Sequence, residues 1–262
     1  VPGDVDVLVT ESVYGNRVHG SIDDSETILL DAVKDAQEKK GVLLIPAFSL
    51  ERTQIILSIL DRALAEKRCP NVPVYMDSPL AAKVTEAYRR NSGYLREDVR
   101  KRLESGDDPF SFPSLSVTVA EEESEAIDRA KPPMVIIAGA GMSHGGRIRR
   151  HEKRYLPDKN ATLLLVGYQV PGSLGRRLRD GAKKVDIDGA DVRVRARIMT
   201  ADGFSAHADR DDLMNFAEAV KPKRAFVVLG ETESATFLAQ RISGFFGISV
   251  DVPREGERYE LF

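Results

Sequence analysis

The stretch Pro133–His151, "PMVIIAGAGMSHGGRIRRH", runs from an unbroken apolar segment through four glycines into a basic, helix-like pattern. An apolar run this short, without polar alternation, reads as a strand buried on both faces, and such strands belong to parallel sheets. Backbone N–H groups at the turn, including those of Gly145 and Gly146, can cradle a phosphate with Arg147 beside them. The turn lacks the G-K-[ST] ending of a Walker loop, and Ser143 and His144 break the G-x-G-x-x-G spacing. A tight strand-to-helix turn without any ligand fits the same residues.

Working outward, similar short runs recur along the chain: "VDVLVTE", "GVLLIPA", "VPVYMDS", "TLLLVGY", "VRVRARIM", "RAFVVLG" and "ISVDVP". Helical patterns separate them. "DDSETILLDAVKDAQEKKG" begins acidic, carries an apolar stripe at Ile28, Leu29, Ala32, Val33 and Ala36, and ends in lysines before Gly41, which suits a helix dipole at both ends. "SLERTQIILSILDRALAEK" reads as a second helix with Ser49 as its N-cap. "NSGYLREDVRKRLESGDDPFSFPSLS" reads as a short helix followed by a loop. Strands alternating with helices predict an α/β fold with a parallel sheet. A domain boundary is expected near "DGADVRVRARIM", where a basic segment gives way to alternating residues.

The 262 residues can bury a sizeable core, as one large domain or two modest ones. Hydrophobic content of 42% and charged content of 30% exclude disordered and membrane classes. No apolar run is long enough to span a bilayer, and no secretory leader is visible. The single Cys69 excludes an internal disulfide framework and fits a reducing compartment, so a cytoplasmic location is expected. Because "VPGDVDVLVTE" enters a strand almost at once, a further N-terminal portion is expected to precede Val1. The net charge of −3 is unevenly spread. Between Arg147 and Lys184, Arg149, Arg150, Lys153, Arg154, Lys159, Arg176, Arg177, Arg179 and Lys183 face only Glu152, Asp158 and Asp180. Such a stretch suits a polyanion, or else a solvated helix face.

Polar groups at strand ends are where α/β proteins place ligands. Glu11 follows the first apolar strand and could orient a histidine, bind metal or act as a base. In "VGYQVPGSLGRRL", Arg176 and Arg177 stand near a helix start and could grip a polyanion. In "TADGFSAHAD", His207 precedes the helix "RDDLMNFAEAV", with Ser205 or Asp209 as its cap. The other histidines are His19, His144 and His151, and no two form an H-x-H or H-x-x-x-H pair. The chain therefore cannot build a histidine-rich metal cage.

Taken in order, "TESVYGNR", "IPAFSLERTQ", "VYMDSPLA", "GMSHGGR", "LLLVGYQVPGSLGRR", "DGFSAHAD" and "VVLGETESATFLAQRI" resemble the metallo-β-lactamase-fold nucleases with a β-CASP domain. The likeness is closest to the RNA-processing branch, which includes ribonuclease J and the nuclease subunit of the cleavage and polyadenylation factor. It extends over nearly the whole chain, to "VDVPREGERYELF". The resemblance implies a β-CASP domain plus the C-terminal part of a metallo-β-lactamase fold, with the nuclease cleft between them. Its expected boundaries are residues 1–16 for the end of the first lactamase portion, 17–193 for the β-CASP domain and 194–262 for the return. Glu11 and His207 then match the first two β-CASP motifs, in which the carboxylate orients an imidazole toward the scissile phosphate. A carboxylate so placed helps the imidazole donate a proton to a leaving oxygen. The basic stretch and its two glycine-rich turns lead to the further expectation that Arg147, Arg176, Arg177, Ser205, Gly145 and Gly146 bind RNA phosphate.

Two departures stand out. The family's zinc-binding H-x-H-x-D-H signature is not in this sequence, and two zinc ions would normally activate the attacking hydroxide. The third motif places a histidine ligand in a "V-H-G-E" turn, where this chain reads "VVLGE" and puts Leu229. Leucine cannot coordinate zinc. Zinc is thus expected in the intact family, while this chain alone is expected to bind none and to hydrolyse no RNA. The expected partners are single-stranded RNA held by its backbone, the metal-binding half and a homodimer, with no membrane. Three readings are open on these residues. The chain is the C-terminal part of a zinc ribonuclease, a degenerate member that binds RNA without cutting, or an unrelated nucleotide-binding protein using "GMSHGGR".

Overall fold

The computed structural model describes residues 3–261. It divides into two compact units: an end unit made of the chain up to Gly20 and from Ser205, and a central unit, Ser21–Phe204. In chain order, β1 (Val7–Thr10) is followed by α1 (Ile22–Lys39), β2 (Val42–Pro46), α2 (Arg52–Ala65), β3 (Val74–Asp77) and α3 (Pro79–Arg90). Next come α4 (Glu97–Glu104), β4 (Leu115–Thr118), α5 (Glu121–Ile127), β5 (Met134–Ala138), α6 (Ile148–Tyr155) and β6 (Thr162–Leu165). Then follow α7 (Leu174–Arg179), β7 (Lys184–Ile187), β8 (Ala190–Arg193) and β9 (Arg197–Thr200). The chain closes with α8 (Arg210–Val220), β10 (Arg224–Val227), α9 (Thr232–Phe246) and β11 (Ser249–Asp251).

The central unit is a doubly wound sheet of order β4-β3-β5-β2-β6-β9, parallel throughout. Its middle strands are apolar without alternation because both faces are covered. Leu43, Ile45, Val135, Ile137 and Leu164 face one core with Leu29, Val33, Ile56 and Leu60 of α1 and α2. Val42, Leu44, Met134, Ile136 and Leu163 face the other core with Ile127, Ile148, Leu174 and Leu178 of α5, α6 and α7. Burying one such side chain is worth roughly 1.5–3 kcal/mol. The caps of α1 follow the sequence: Ser21 accepts from the Asp24 N–H at 3.0 Å, and Asp23 and Asp24 occupy the first turn. The two ends of this unit meet, since the Gly203 N–H donates to Ser25 Oγ at 2.9 Å.

Three local expectations differ from the fold. "VRVRARIM" is two strands: β8 pairs antiparallel with β7, while β9 pairs parallel with β6. β9 joins the sheet of the central unit, which spans Ser21–Phe204. The segment read as a loop up to Ser116 enters β4 at Leu115, an edge strand paired with β3 whose exposed positions disguise it. Ser49 does not cap α2. Glu51 stands at that N-cap, with φ 64° and no side-chain cap, while the Ser49 carbonyl accepts from Gln54 Nε2 at 3.1 Å.

A buried polar knot joins the carboxyl end of β3 to α6. Asp77, fully buried, accepts from Arg147 Nη1 at 2.8 Å, Thr118 Oγ1 at 2.6 Å, Ser124 Oγ at 2.6 Å and His151 Nε2 at 2.7 Å. Burial opposes its charge, but the hydrogen bonds from His151, Ser124, Thr118 and Arg147 outweigh it and hold the carboxyl well below the usual range. The adjacent Glu152 accepts from the Ser143 hydroxyl, and burial pushes its carboxyl up to about 8.

Arg147→Ala leaves the buried Asp77 without its cation and should cost about 1–3 kcal/mol in urea unfolding. A loss within error would show that the other donors suffice. Glu152 gives a pH signature. Unfolded, it loses its proton near 4.5; folded, near 8. Between these values the folded chain holds the extra proton, so unfolding free energy should fall as pH rises and then level off. Glu152→Gln should flatten that fall when unfolding is measured at pH 5 and pH 8. Parallel pH slopes in wild type and variant would refute the assignment.

Candidate functional site

The site in the end unit starts from a three-stranded parallel sheet of order β1-β10-β11, with Thr10 opposite Val227. Leu8, Ala225 and Val227 pack against Leu213, Ala217 and Val220 of α8 and Ala235, Leu238 and Ile242 of α9. Parallel pairing sets the carboxyl ends of β1 and β10 side by side, so the segments after Thr10 and after Val227 meet. Ser12 Oγ donates to the Val228 carbonyl at 2.9 Å, and Ser234 Oγ donates to the Ser12 carbonyl at 2.5 Å. Only glycine fits at position 230, because a Cβ there would lie 2.6 Å from the Ser12 carbonyl oxygen.

Glu11 and His207 meet at this end. His207 Nδ1 lies 2.7 Å from Glu11 Oε2 across 196 residues of sequence. Both side chains are partly open, at 43% for His207 and 26% for Glu11. A carboxylate partner fixes Nδ1 as the protonated nitrogen and leaves Nε2 for another group. The loop carrying His207 is held from both sides. The His207 N–H donates to Ser205 Oγ at 3.3 Å, and Asp209 caps α8 by accepting from the Asp211 and Asp212 N–H groups. A bridge pairs Tyr14 with Asp209, and the Arg210 N–H donates to the Arg17 carbonyl at 3.1 Å.

His19 was not assigned a role from sequence, yet it stands beside this loop. Its Nε2 is 3.2 Å from the His207 carbonyl, and its ring meets buried Tyr14 edge-on at 5.4 Å. Sequence spacing leaves the metal-ligating side chains scattered, whereas the fold gathers His19, Asp209 and Asp212. The signal that could have found His19 is its place just after the "TESVYGNR" segment, close behind Glu11.

The basic residues of the central unit are mostly spoken for. The Arg147 guanidinium, expected to hold phosphate, is turned to Asp77 and to the Thr118 and Val119 carbonyls. Arg149 pairs with Asp188, Arg150 with Asp128, and Arg179 with Asp180. Arg176 Nε bonds Asp180 Oδ2 at 2.9 Å, and Ser173 caps α7 by accepting from the Arg176 N–H at 3.1 Å. Arg177 is exposed and makes no ion pair among the described residues. At the "GMSHGGR" turn, Gly146 has φ 73° and a Cβ there would lie 2.3 Å from the Gly139 carbonyl oxygen. Gly145 accepts through its carbonyl from the Ala140 N–H at 2.9 Å. Gly146 is therefore required by the turn itself, whereas a Cβ at Gly145 would meet open space.

Leu229 is 70% exposed at the end of β10 with φ 53°, and its hydrocarbon side chain offers no ligand atom.

Comparison with known proteins agrees with this architecture. Residues 53–178 match the Beta-Casp domain, and residues 191–253 match the Zn-dependent metallo-hydrolase RNA specificity domain. Ribonuclease TTHA0252 of Thermus thermophilus is 35% identical over 257 residues, covering 98% of this chain and 58% of that protein. Transcription termination factor FttA of Thermococcus kodakarensis is 32% identical over 270 residues, covering 98% of this chain and 41% of the factor. An RNase J-like protein of Methanocaldococcus jannaschii is 28% identical over 256 residues, 97% of this chain and 58% of that protein. The chain thus spans about half the length of the curated relatives it matches. On its fold, its strand-end motifs and these matches, the chain belongs to the β-CASP nuclease family.

Proposed function

We propose that this chain is the RNA-binding and acid–base part of a ribonuclease that hydrolyses RNA phosphodiesters. The observation that carries the reading is the Glu11–His207 hydrogen bond of 2.7 Å. Glu11 holds Nδ1, so the imidazole presents Nε2 to an incoming phosphodiester and can pass a proton to the leaving oxygen. Zinc, named in the description of the matched domain, would supply an activated hydroxide and neutralise phosphate charge when bound. The described residues around Glu11, His207 and Leu229 do not fit that centre, so the part taken by this chain is orientation and proton transfer. Ser205 braces the His207 backbone, and exposed Arg177 offers a guanidinium to RNA phosphate.

Leu229 favours a second reading, a non-cutting family member that binds RNA as a partner subunit, because it stands where the resemblance expects a histidine ligand. Metal-dependent cleavage of single-stranded RNA by the natural full-length protein supports the first reading. Binding without cleavage supports the second.

In that full-length protein, His207→Ala should slow cleavage roughly 10²–10⁴-fold while leaving RNA affinity nearly unchanged. Glu11→Gln combined with it should cost little more, since the two act as one unit. Unaltered cleavage in His207→Ala would remove the acid–base role. For binding, Arg177→Ala should lower the slope of log affinity against log salt by about 0.7 for single-stranded RNA. An unchanged slope would make Arg177 a solvated surface residue.

A further inference from the structure

A separate cluster of ligating groups lies where the segment after β1 meets the start of α8. One imidazole nitrogen of His19 and one carboxylate oxygen each from Asp209 and Asp212 lie within 4.8 Å of one another. Asp209 is only 7% exposed, and its Oδ1 is the atom that caps α8, at 2.9 and 3.0 Å from the Asp211 and Asp212 nitrogens. Its other oxygen is not used by that cap. The neighbouring Arg210 spends its hydrogen bond on Asp211, at 2.7 Å. Two carboxylates therefore converge on an imidazole.

The ring carries a second, independent sign. His19 Nδ1 is 3.1 Å from the Gly20 carbonyl and Nε2 is 3.2 Å from the His207 carbonyl. A neutral imidazole has a single N–H for two carbonyls, so one nitrogen turns its lone pair to an oxygen. Metal-bound histidines donate their other N–H to just such an acceptor, which fixes the tautomer. At His19 either carbonyl can take the retained N–H, and the ligating nitrogen turns off the other carbonyl to meet the ion.

We propose that His19, Asp209 and Asp212 bind a divalent transition-metal ion of the Mn²⁺ or Zn²⁺ class, at a site distinct from the zinc centre implied by the family resemblance. One imidazole and two carboxylates suit these metals, with water filling the remaining positions. Bonds of about 2.0–2.2 Å place ligand atoms roughly 3–4.4 Å apart, so closure asks only a small adjustment of exposed Asp212 and of the His19 ring. The ion would join the segment after β1 to the loop that carries His207, whose carbonyl already touches His19. The site depends on neither reading of the nuclease function, and direct binding tests it without an activity assay.

The chain, stripped with EDTA, is titrated with MnCl₂ while ¹H–¹⁵N spectra are recorded, and with ZnCl₂ in a calorimeter. Stoichiometry of one ion per chain is expected, with paramagnetic broadening centred on His19 and the residues from His207 to Asp212. Asp212→Asn and His19→Ala should each weaken binding at least roughly tenfold, and Glu11→Gln should not. Asp212 is exposed and takes no part in the helix cap through its side chain, so Asp212→Asn keeps the test sound even if His19→Ala disturbs the loop. Wild-type affinity in Asp212→Asn, or broadening centred on Glu11 or on scattered surface acids, would overturn the proposal.

Discussion

β1 has no partner near it in sequence. Its pairing with β10, from Val7 opposite Arg224 to Thr10 opposite Val227, is what makes the end unit exist. Closing so long a loop costs entropy, although the cost rises only slowly with length. The return comes from Leu8, Val227, Leu238 and Ile242 packing into one core, and from Ser12, Val228 and Ser234 knitting the strand ends. Every contact that defines the site follows from this register. A slip by one residue would turn Leu8 out to solvent and move Glu11 away from His207.

The central unit obeys a different constraint. Its strands are covered on both faces, so polar side chains collect at their carboxyl ends, where Asp77, His151 and Arg147 form a closed knot. The same position in the end unit holds Glu11 and His207, which are partly open to solvent. Parallel sheets thus carry a sealed cluster in one unit and an accessible pair in the other. What separates them is donor number: Asp77 is saturated by four donors, whereas the Glu11–His207 pair leaves an imidazole nitrogen to spare.

Much of this was legible in the sequence. Uninterrupted apolar runs such as "VLLIP" and "MVIIA" announce strands buried on both faces, and the spacing of Leu29, Val33 and Ala36 announces α1. The pairing of Glu11 with His207 came from a family resemblance, since no local pattern spans that separation. What escaped was whatever depends on neighbours distant in sequence. A basic stretch cannot reveal that Asp77, Asp128 and Asp188 will neutralise Arg147, Arg150 and Arg149. An edge strand such as β4, half polar and supported by one partner, carries little periodic signal. His19 offered one imidazole without a partner in view, and only the fold brings Asp209 and Asp212 to it.

The bond from the Gly203 N–H to Ser25 Oγ, which holds the two ends of the central unit together, has an architectural consequence. A module whose ends coincide makes little demand on the span of the loop that hosts it. The host chain can close its own sheet as though the interruption were a short turn, and the guest can complete its two cores from its own residues. Such a guest can lengthen, lose helices or reshape its surface without altering the spacing between the motifs on either side. The Glu11–His207 pair is in this sense insulated: its two halves flank the insertion, yet their separation in space is fixed within the end unit, by the β1–β10 pairing and the Tyr14–Asp209 bridge.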